Sequence, residues 1–316
     1  MAKRVKKSTI IQQIMAEVSA RLKIILHDNT RMQYLHHSKA FVRYCREVHD
    51  SRTLAECLPH VQEYCDYLIA KGYTASTVHT YIAAVCKALE IDLATINKPV
   101  RHVADYIRGR SGRNCGVSGD LNDPRWAYVV DFNRHVGIRR EELMRLRGRD
   151  FTMDESGHPC VFVRRGKGGK PQLQRIDEKD APLVKKYFNA VAPNEFVFDR
   201  KLFNNDLNFH LLRAQEAKRY YFATLEKIQI EKGYATQLEQ EIRARWDLYC
   251  KDKHGRFRRL PEYEIYGYYV VRGRNRKLAA KKGMPMGYHK LALLATSVFK
   301  LSHWRNDVTV ASYLLA

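Results

Sequence analysis

The sequence predicts a mainly α-helical chain with a small antiparallel β-sheet, an α+β architecture of two domains. Three observations predict it. Four stretches of helical apolar spacing fill residues 8–96. The period then changes at "CVFVRRGKGGKPQLQRI", which reads as two short strands around a Gly-rich turn. Helical spacing returns over 205–246 and in the apolar run near the end.

The elements follow in order. "STIIQQIMAEVSARLKIIL" starts on Ser8 as N-cap. "TRMQYLHHSKAFVRYCREV" is a second helix. "TLAECLPHVQEYCDYLIAKG" is a third, with Gly72 as its stop. "TASTVHTYIAAVCKALEI" is a fourth, capped by Ser76 or Thr77, with Val78, Tyr81, Ile82, Val85 and Leu89 as its apolar stripe. Residues 1–7 read as a basic arm, 8–96 as a helical domain, and 97–124, rich in Gly, Pro, Ser and Arg, as a linker. The second domain is 125–316. It opens on a helix broken at Gly137, "RWAYVVDFNRHVG" then "IRREELMRLRGRD".

Composition narrows the function. The 316 residues carry 56 Lys+Arg against 34 Asp+Glu, a formal charge of +22, with 19 Tyr and 12 Phe among them. Such a surplus points to a polyanion partner, nucleic acid before an anionic membrane surface. No apolar run is long enough to span a membrane, and the N-terminus lacks an export signal. The seven Cys are scattered without a C-x-x-C pair, which argues for a reduced, cytoplasmic setting and against a zinc knuckle.

Five separated pieces carry chemistry. Arg139 follows Gly137, and Glu142 lies one turn on, placed to orient the guanidinium. Lys167 sits between Gly166 and Gly168, whose missing side chains allow close approach to a phosphate. His210 and Arg213 share a helix face, with Ala214 and Ala217 keeping nearby positions small. His303 ends an apolar helix, and Tyr313 follows ten residues later. Each piece alone reads as readily as an exposed salt bridge, a solvated turn lysine or a chance pair. Together they match metal-free nucleophilic attack on a phosphodiester. Two guanidinium forks hold the non-bridging oxygens and the charge of the transition state. The lysine protonates the leaving 5′-oxygen, histidines donate or move protons, and the tyrosine becomes covalently linked.

In this order, "GIRREEL", "GKGGK", "HLLRAQEA", "LSHWR" and "VASYL" resemble the tyrosine recombinase or phage integrase family. The resemblance implies a helical core-binding (SAM-like) DNA-binding domain over 8–96 followed by a catalytic domain. It implies a site-specific recombinase or integrase that cuts and rejoins DNA through a 3′-phosphotyrosine, serving a mobile element. It further implies no cofactor, metal or ATP, and a tetramer holding two double-stranded DNA sites with accessory DNA-bending proteins. No membrane is involved, and the location is cytoplasmic and nucleoid-associated. The alternative is a catalytically inactive relative kept for DNA binding or regulation. Arg139, Lys167, His210, Arg213, His303 and Tyr313 are the implied catalytic residues, with Glu142 in support. Two departures stand out. Ninety positions separate Arg213 from His303, so 214–288 reads as an insertion, and Arg272 in "VVRGRNRK" stays open as the second arginine. Only three residues follow Tyr313, where many family members continue into a docking helix.

Overall fold

The computed structural model describes residues 9–101, 121, 123–166, 169, 171–203, 207–249 and 260–315. The expected basic arm at 1–7, Ser8, most of the 97–124 linker, and Lys167 with Gly168 lie outside the described residues. The chain forms two compact units, one ending at Tyr106 and the other beginning at Ile107.

The first unit is helical: α1 (Ile10–Arg21), α2 (Asp28–His49), α3 (Leu54–Cys57), α4 (Val61–Ala70) and α5 (Ala75–Leu89). Thr9, not Ser8, caps α1, in a reciprocal capping box with Gln12. Thr74, not Ser76 or Thr77, caps α5 through the Thr77 N–H. The third expected helix is split, because Pro59 falls in a 3₁₀ turn over Leu58–His60. The apolar faces meet in a core containing Phe41, Val42, Tyr64, Leu68, Ile82 and Val85. Cys45, Cys57, Cys65 and Cys86 are buried free thiols there, so these cysteines serve as small apolar packing residues.

The second unit begins with α6 (Ala127–Val136) and the single-turn α7 (Arg140–Leu143). The expected longer helix after Gly137 does not form. The chain at Leu146 and Arg147 instead turns extended, bridging to Phe196 and accepting the Val197 N–H. Strands β1 (Phe151–Met153), β2 (Pro159–Val163) and β3 (Gln172–Arg175) form an antiparallel sheet in that order. The β2–β3 hairpin is the expected one, with Val163 opposite Gln172; β1 is an addition. Then come α8 (Ala181–Asn189), α9 (Phe209–Ile230), α10 (Tyr234–Tyr249), β4 (Tyr268–Val270), α11 (Gly273–Lys281), β5 (Gly287–His289), α12 (Lys290–Ala295) and α13 (Asn306–Thr309). Strands β4 and β5 pair antiparallel. The observed class is mainly α with small antiparallel sheets. Two five-residue π-turns, Thr296–Lys300 and Val310–Leu314, follow α12 and α13. Helical periodicity gives no sign of them.

Candidate active site

The site is assembled from the break after α6, the start of α9 and the last segment of the chain. Gly137 ends α6 with φ 71°, the left-handed cap that glycine adopts without penalty. The buried Asn133 side chain holds the next residue at both ends. Its Nδ2 donates to the Ile138 carbonyl at 3.1 Å, and its Oδ1 accepts the Ile138 N–H at 2.9 Å. Arg139 therefore leaves the turn in a fixed direction as N-cap of α7. Glu142, 2% exposed, accepts the Arg139 backbone N–H at 2.8 Å and its Nη1 at 2.6 Å. The expected Arg139–Glu142 ion pair is thus joined by a backbone hydrogen bond, the Glu142 carboxylate holding both the N–H and the guanidinium of Arg139.

Arg213 lies on the second turn of α9 and is 1% exposed. Its Nη1 donates to the Gly137 carbonyl at 2.6 Å and its Nη2 to the Leu301 carbonyl at 3.0 Å. One guanidinium thus ties the Arg139 turn to the segment carrying His303 and Tyr313. Glu142 lies 4.0 Å away, and the Arg213 Nε has no hydrogen-bond partner among the described residues. Burial, then the charge of Arg139, pull the Arg213 pKa below its usual value, while Glu142 and Tyr313 oppose the fall.

The Tyr313 ring closes over this group, 5.9 Å from the Arg213 guanidinium carbon. It packs on Ala214, Ala217 and Leu301, so the two small residues after Arg213 make its seat. His210, exposed, lies 5.2 Å from the same ring, and His303 is nearly parallel to it at 5.9 Å. Ser302 and Trp304, which flank His303, both adopt the left-handed region, at φ 52° and 59°. Two such non-glycine residues in so short a segment mark a strained backbone held by its surroundings. The His303 Nδ1 accepts the Arg305 N–H at 3.2 Å. A neutral ring in that arrangement carries its proton on Nε2, which is buried and has no hydrogen-bond partner among the described residues. Burial and the charges of Arg213, Arg139 and Arg305 push the His303 pKa down to about 3. The ring is therefore an uncharged donor at neutral pH.

Of the two arginines the sequence left open, Arg213 is the one set against Arg139, Glu142, His303 and Tyr313. Arg272 is exposed at the N-cap of α11. Lys167 lies outside the described residues; around it, the Gly169 N–H bonds the Gly166 carbonyl at 2.9 Å and Gly169 has φ 80°.

Several supporting residues carried no signal in the sequence. Lys300, 1% exposed, forms a 2.6 Å ion pair with Glu216, equally buried. Glu216 is one turn beyond Arg213, and Lys300 directly precedes Leu301. Gln174 on β3 donates to both the Val136 and Lys300 carbonyls. The region read as an insertion is tied to the site in two places. The Asn306 amide donates to the Glu264 carbonyl and carboxylate at 3.0 Å each, and the Lys282 ammonium donates to the Leu315 carbonyl at 2.6 Å. Its α10 also engages the sheet. Arg245 and the β3 residue Arg175 both bind Asp154, at 2.8 and 2.5 Å.

One further group among the described residues has metal-ligating types. His49, His60 and Glu63 gather in the first unit. The two imidazoles are stacked 3.6 Å apart and 8° from parallel. An ion between them would lie outside both ring planes, where the nitrogen lone pairs point, so the arrangement is that of two rings sharing a carboxylate. No helix among the described residues is long and apolar enough to cross a membrane.

No family model matches the chain. Over 84 residues it is 31% identical to a tyrosine recombinase of Thermosipho africanus (strain TCF52B), a match covering 27% of this chain and 29% of that protein. The matched region spans under a third of the length of that relative. The crystal structure of XerA recombinase is similar over 66% of this chain and 84% of that one, with 18% identity and a TM-score of 0.23. A likeness that slight does not bear on the reading. In its ordered motifs and in this sequence match, the chain is similar to the tyrosine recombinases.

Proposed function

We propose that the chain is a site-specific DNA recombinase or integrase that cuts and rejoins double-stranded DNA through a phosphotyrosine. The observation that carries this reading is the Tyr313 ring lying on the Arg213 guanidinium between two histidines. In the proposed step the Tyr313 oxygen gives its proton to water and attacks the scissile phosphorus. The bond to the 5′-oxygen breaks, leaving the 3′-phosphate on the tyrosine, and Lys167 gives its proton to the departing oxygen. Arg139 and Arg213 hold the non-bridging oxygens, and His210 and the His303 Nε2–H donate to them. The energy of the broken bond is kept in the tyrosine ester, so religation calls for no nucleotide, and the charge work assigned to the arginines calls for no metal. A tetramer on two DNA sites, accessory DNA-bending proteins, service to a mobile element, and a cytoplasmic, nucleoid-associated location complete the reading.

Arg213 and Tyr313 are both covered, at 1% and 7% exposure. A phosphate reaches the arginine only when the Tyr313 segment shifts, so DNA binding and the opening of this segment are one event in the proposed cycle.

The test is a pool of nicked suicide duplexes with a randomised centre, which trap a covalent intermediate because the cut fragment diffuses away. A protein–DNA adduct with the natural chain and none with Tyr313→Phe is expected. No adduct with either, from a chain that still binds DNA, would leave the inactive DNA-binding relative as the correct reading.

A further inference from the structure

No Asp or Glu occurs between Glu264 and Asp307. Within that acid-free stretch α11 and its N-cap carry Arg272, Arg274, Arg276 and Lys277, then Lys281 and Lys282. The helix buries Ala279 against Val271, Tyr288, Leu314 and Leu315. Lys277 and Lys281 lie on the opposite arc and Arg276 on a flank, about 60° round the helix from Ala279; all three are exposed. The C-terminal end of α11 is tied to the segment that bears the tyrosine. Past its C-terminus, Lys282 holds the carbonyl of Leu315, two residues beyond Tyr313. Tyr268, on the strand that feeds the helix, is also exposed and offers a hydroxyl.

We propose that the exposed cations of α11 and its N-cap, Arg272, Arg276, Lys277 and Lys281, are a phosphate-backbone contact for the duplex whose scissile phosphate Tyr313 attacks. The inference rests on the recombinase reading and goes beyond it, by giving a DNA-binding role to the region inserted between Arg213 and His303. Charge complementarity selects the partner, since a helix whose exposed side chains include several cations and no acid is matched by a polyanion. Length selects the extent. Nine residues rise about 13.5 Å, or about four nucleotides at about 3.4 Å per step of one strand. Because Lys282 fixes the helix beside the tyrosine, those nucleotides flank the cut. Such contacts fix position and register and carry no base sequence.

The experiment compares the natural full-length chain with an Arg276→Gln/Lys277→Gln/Lys281→Gln variant. Glutamine keeps helix propensity close to that of the residues removed, and circular dichroism with thermal melting checks the fold. Affinity for a 40-bp random-sequence duplex is measured from low to moderate salt. Each lost phosphate contact lowers the slope of log K against log salt by about 0.9, so a drop approaching 2.7 is expected. The suicide pool should yield fewer adducts with the variant, with its preferred sequence unchanged. An unchanged slope and adduct yield from a folded variant would overturn the inference while the recombinase reading stood. If the natural chain forms no adduct, the recombinase reading falls, and this assignment, which places α11 beside a cut, falls with it.

Discussion

A β-carbon on Gly137 would lie 2.7 Å from the Glu216 side chain. The break that releases Arg139 and the helix that carries Arg213 therefore approach each other at a position with no room for a methyl group. Gly137 also has φ 71°. Gly137→Ala combines left-handed strain with overpacking, so a loss of about 2–4 kcal/mol is expected in urea unfolding. Adduct formation should fall as well, because the Gly137 carbonyl is an acceptor of Arg213. Full stability in this variant would show that the turn relaxes freely.

The Lys300–Glu216 pair is buried on both sides and also tied to Arg219, whose Nε lies 2.7 Å from Glu216. Lys300→Met leaves Glu216 only partly compensated, and about 3–5 kcal/mol is expected to be lost. The double variant Lys300→Met/Glu216→Leu should be more stable than the sum of the single losses predicts, by at least about 1 kcal/mol. Additive losses in the double-mutant cycle would mean that the pair contributes nothing as a pair.

His303 gives a pH signature. Its pKa is pushed down to about 3 in the folded chain against about 6.5 when unfolded. Between those values the unfolded state binds the extra proton, so stability rises with pH across the window and levels off above it. His303→Asn should remove up to one proton's worth of slope, about 1.4 kcal/mol per pH unit. Unfolding at pH 5 and pH 7 measures it, and equal slopes in the two proteins would refute the assignment.

Acid should loosen the contact between α10 and the sheet. Burial pushes the Asp154 carboxyl up, but Arg175, with Arg245 assisting, wins and holds it below its usual value. Burial likewise raises Glu241, while bonds from His158 and Arg175 bring it down to about 2. Carboxylates depressed on folding stabilise above their unfolded pKa, and that contribution is lost as pH falls through the folded value. Stability is expected to decline from about pH 4.5 toward pH 2, and Glu241→Gln should flatten the decline at a cost of about 3 kcal/mol at pH 7. An acid titration followed by tryptophan fluorescence reads both.

What was legible in the sequence was local. Arg139 and Glu142 are three residues apart, as are His210 and Arg213, and the β2–β3 hairpin is announced by its glycines. The supports were illegible because they are distant partners. Gln174 reaches Lys300 across 126 positions, and neither residue type announces a buried role. The helix expected after Gly137 has adequate propensity, yet pairing with Phe196 and Val197 ends it after one turn. The third helix was overextended because the apolar period continues smoothly across Pro59.

Helix α9 is 22 residues long, a rod of about 33 Å. Near one end it carries Arg213, and three residues on it is pinned by Glu216 to Lys300. Its other end leads into α10. Such a rod is a lever with its fulcrum close to the working end. The short arm is about 4.5 Å and the long arm about 21 Å at 1.5 Å per residue. A swing of about 5 Å at the far end arrives at the guanidinium as about 1 Å, the scale on which misplacing a catalytic group costs about a hundredfold in rate. A displacement at the far end would thus reach the arginine reduced about fivefold.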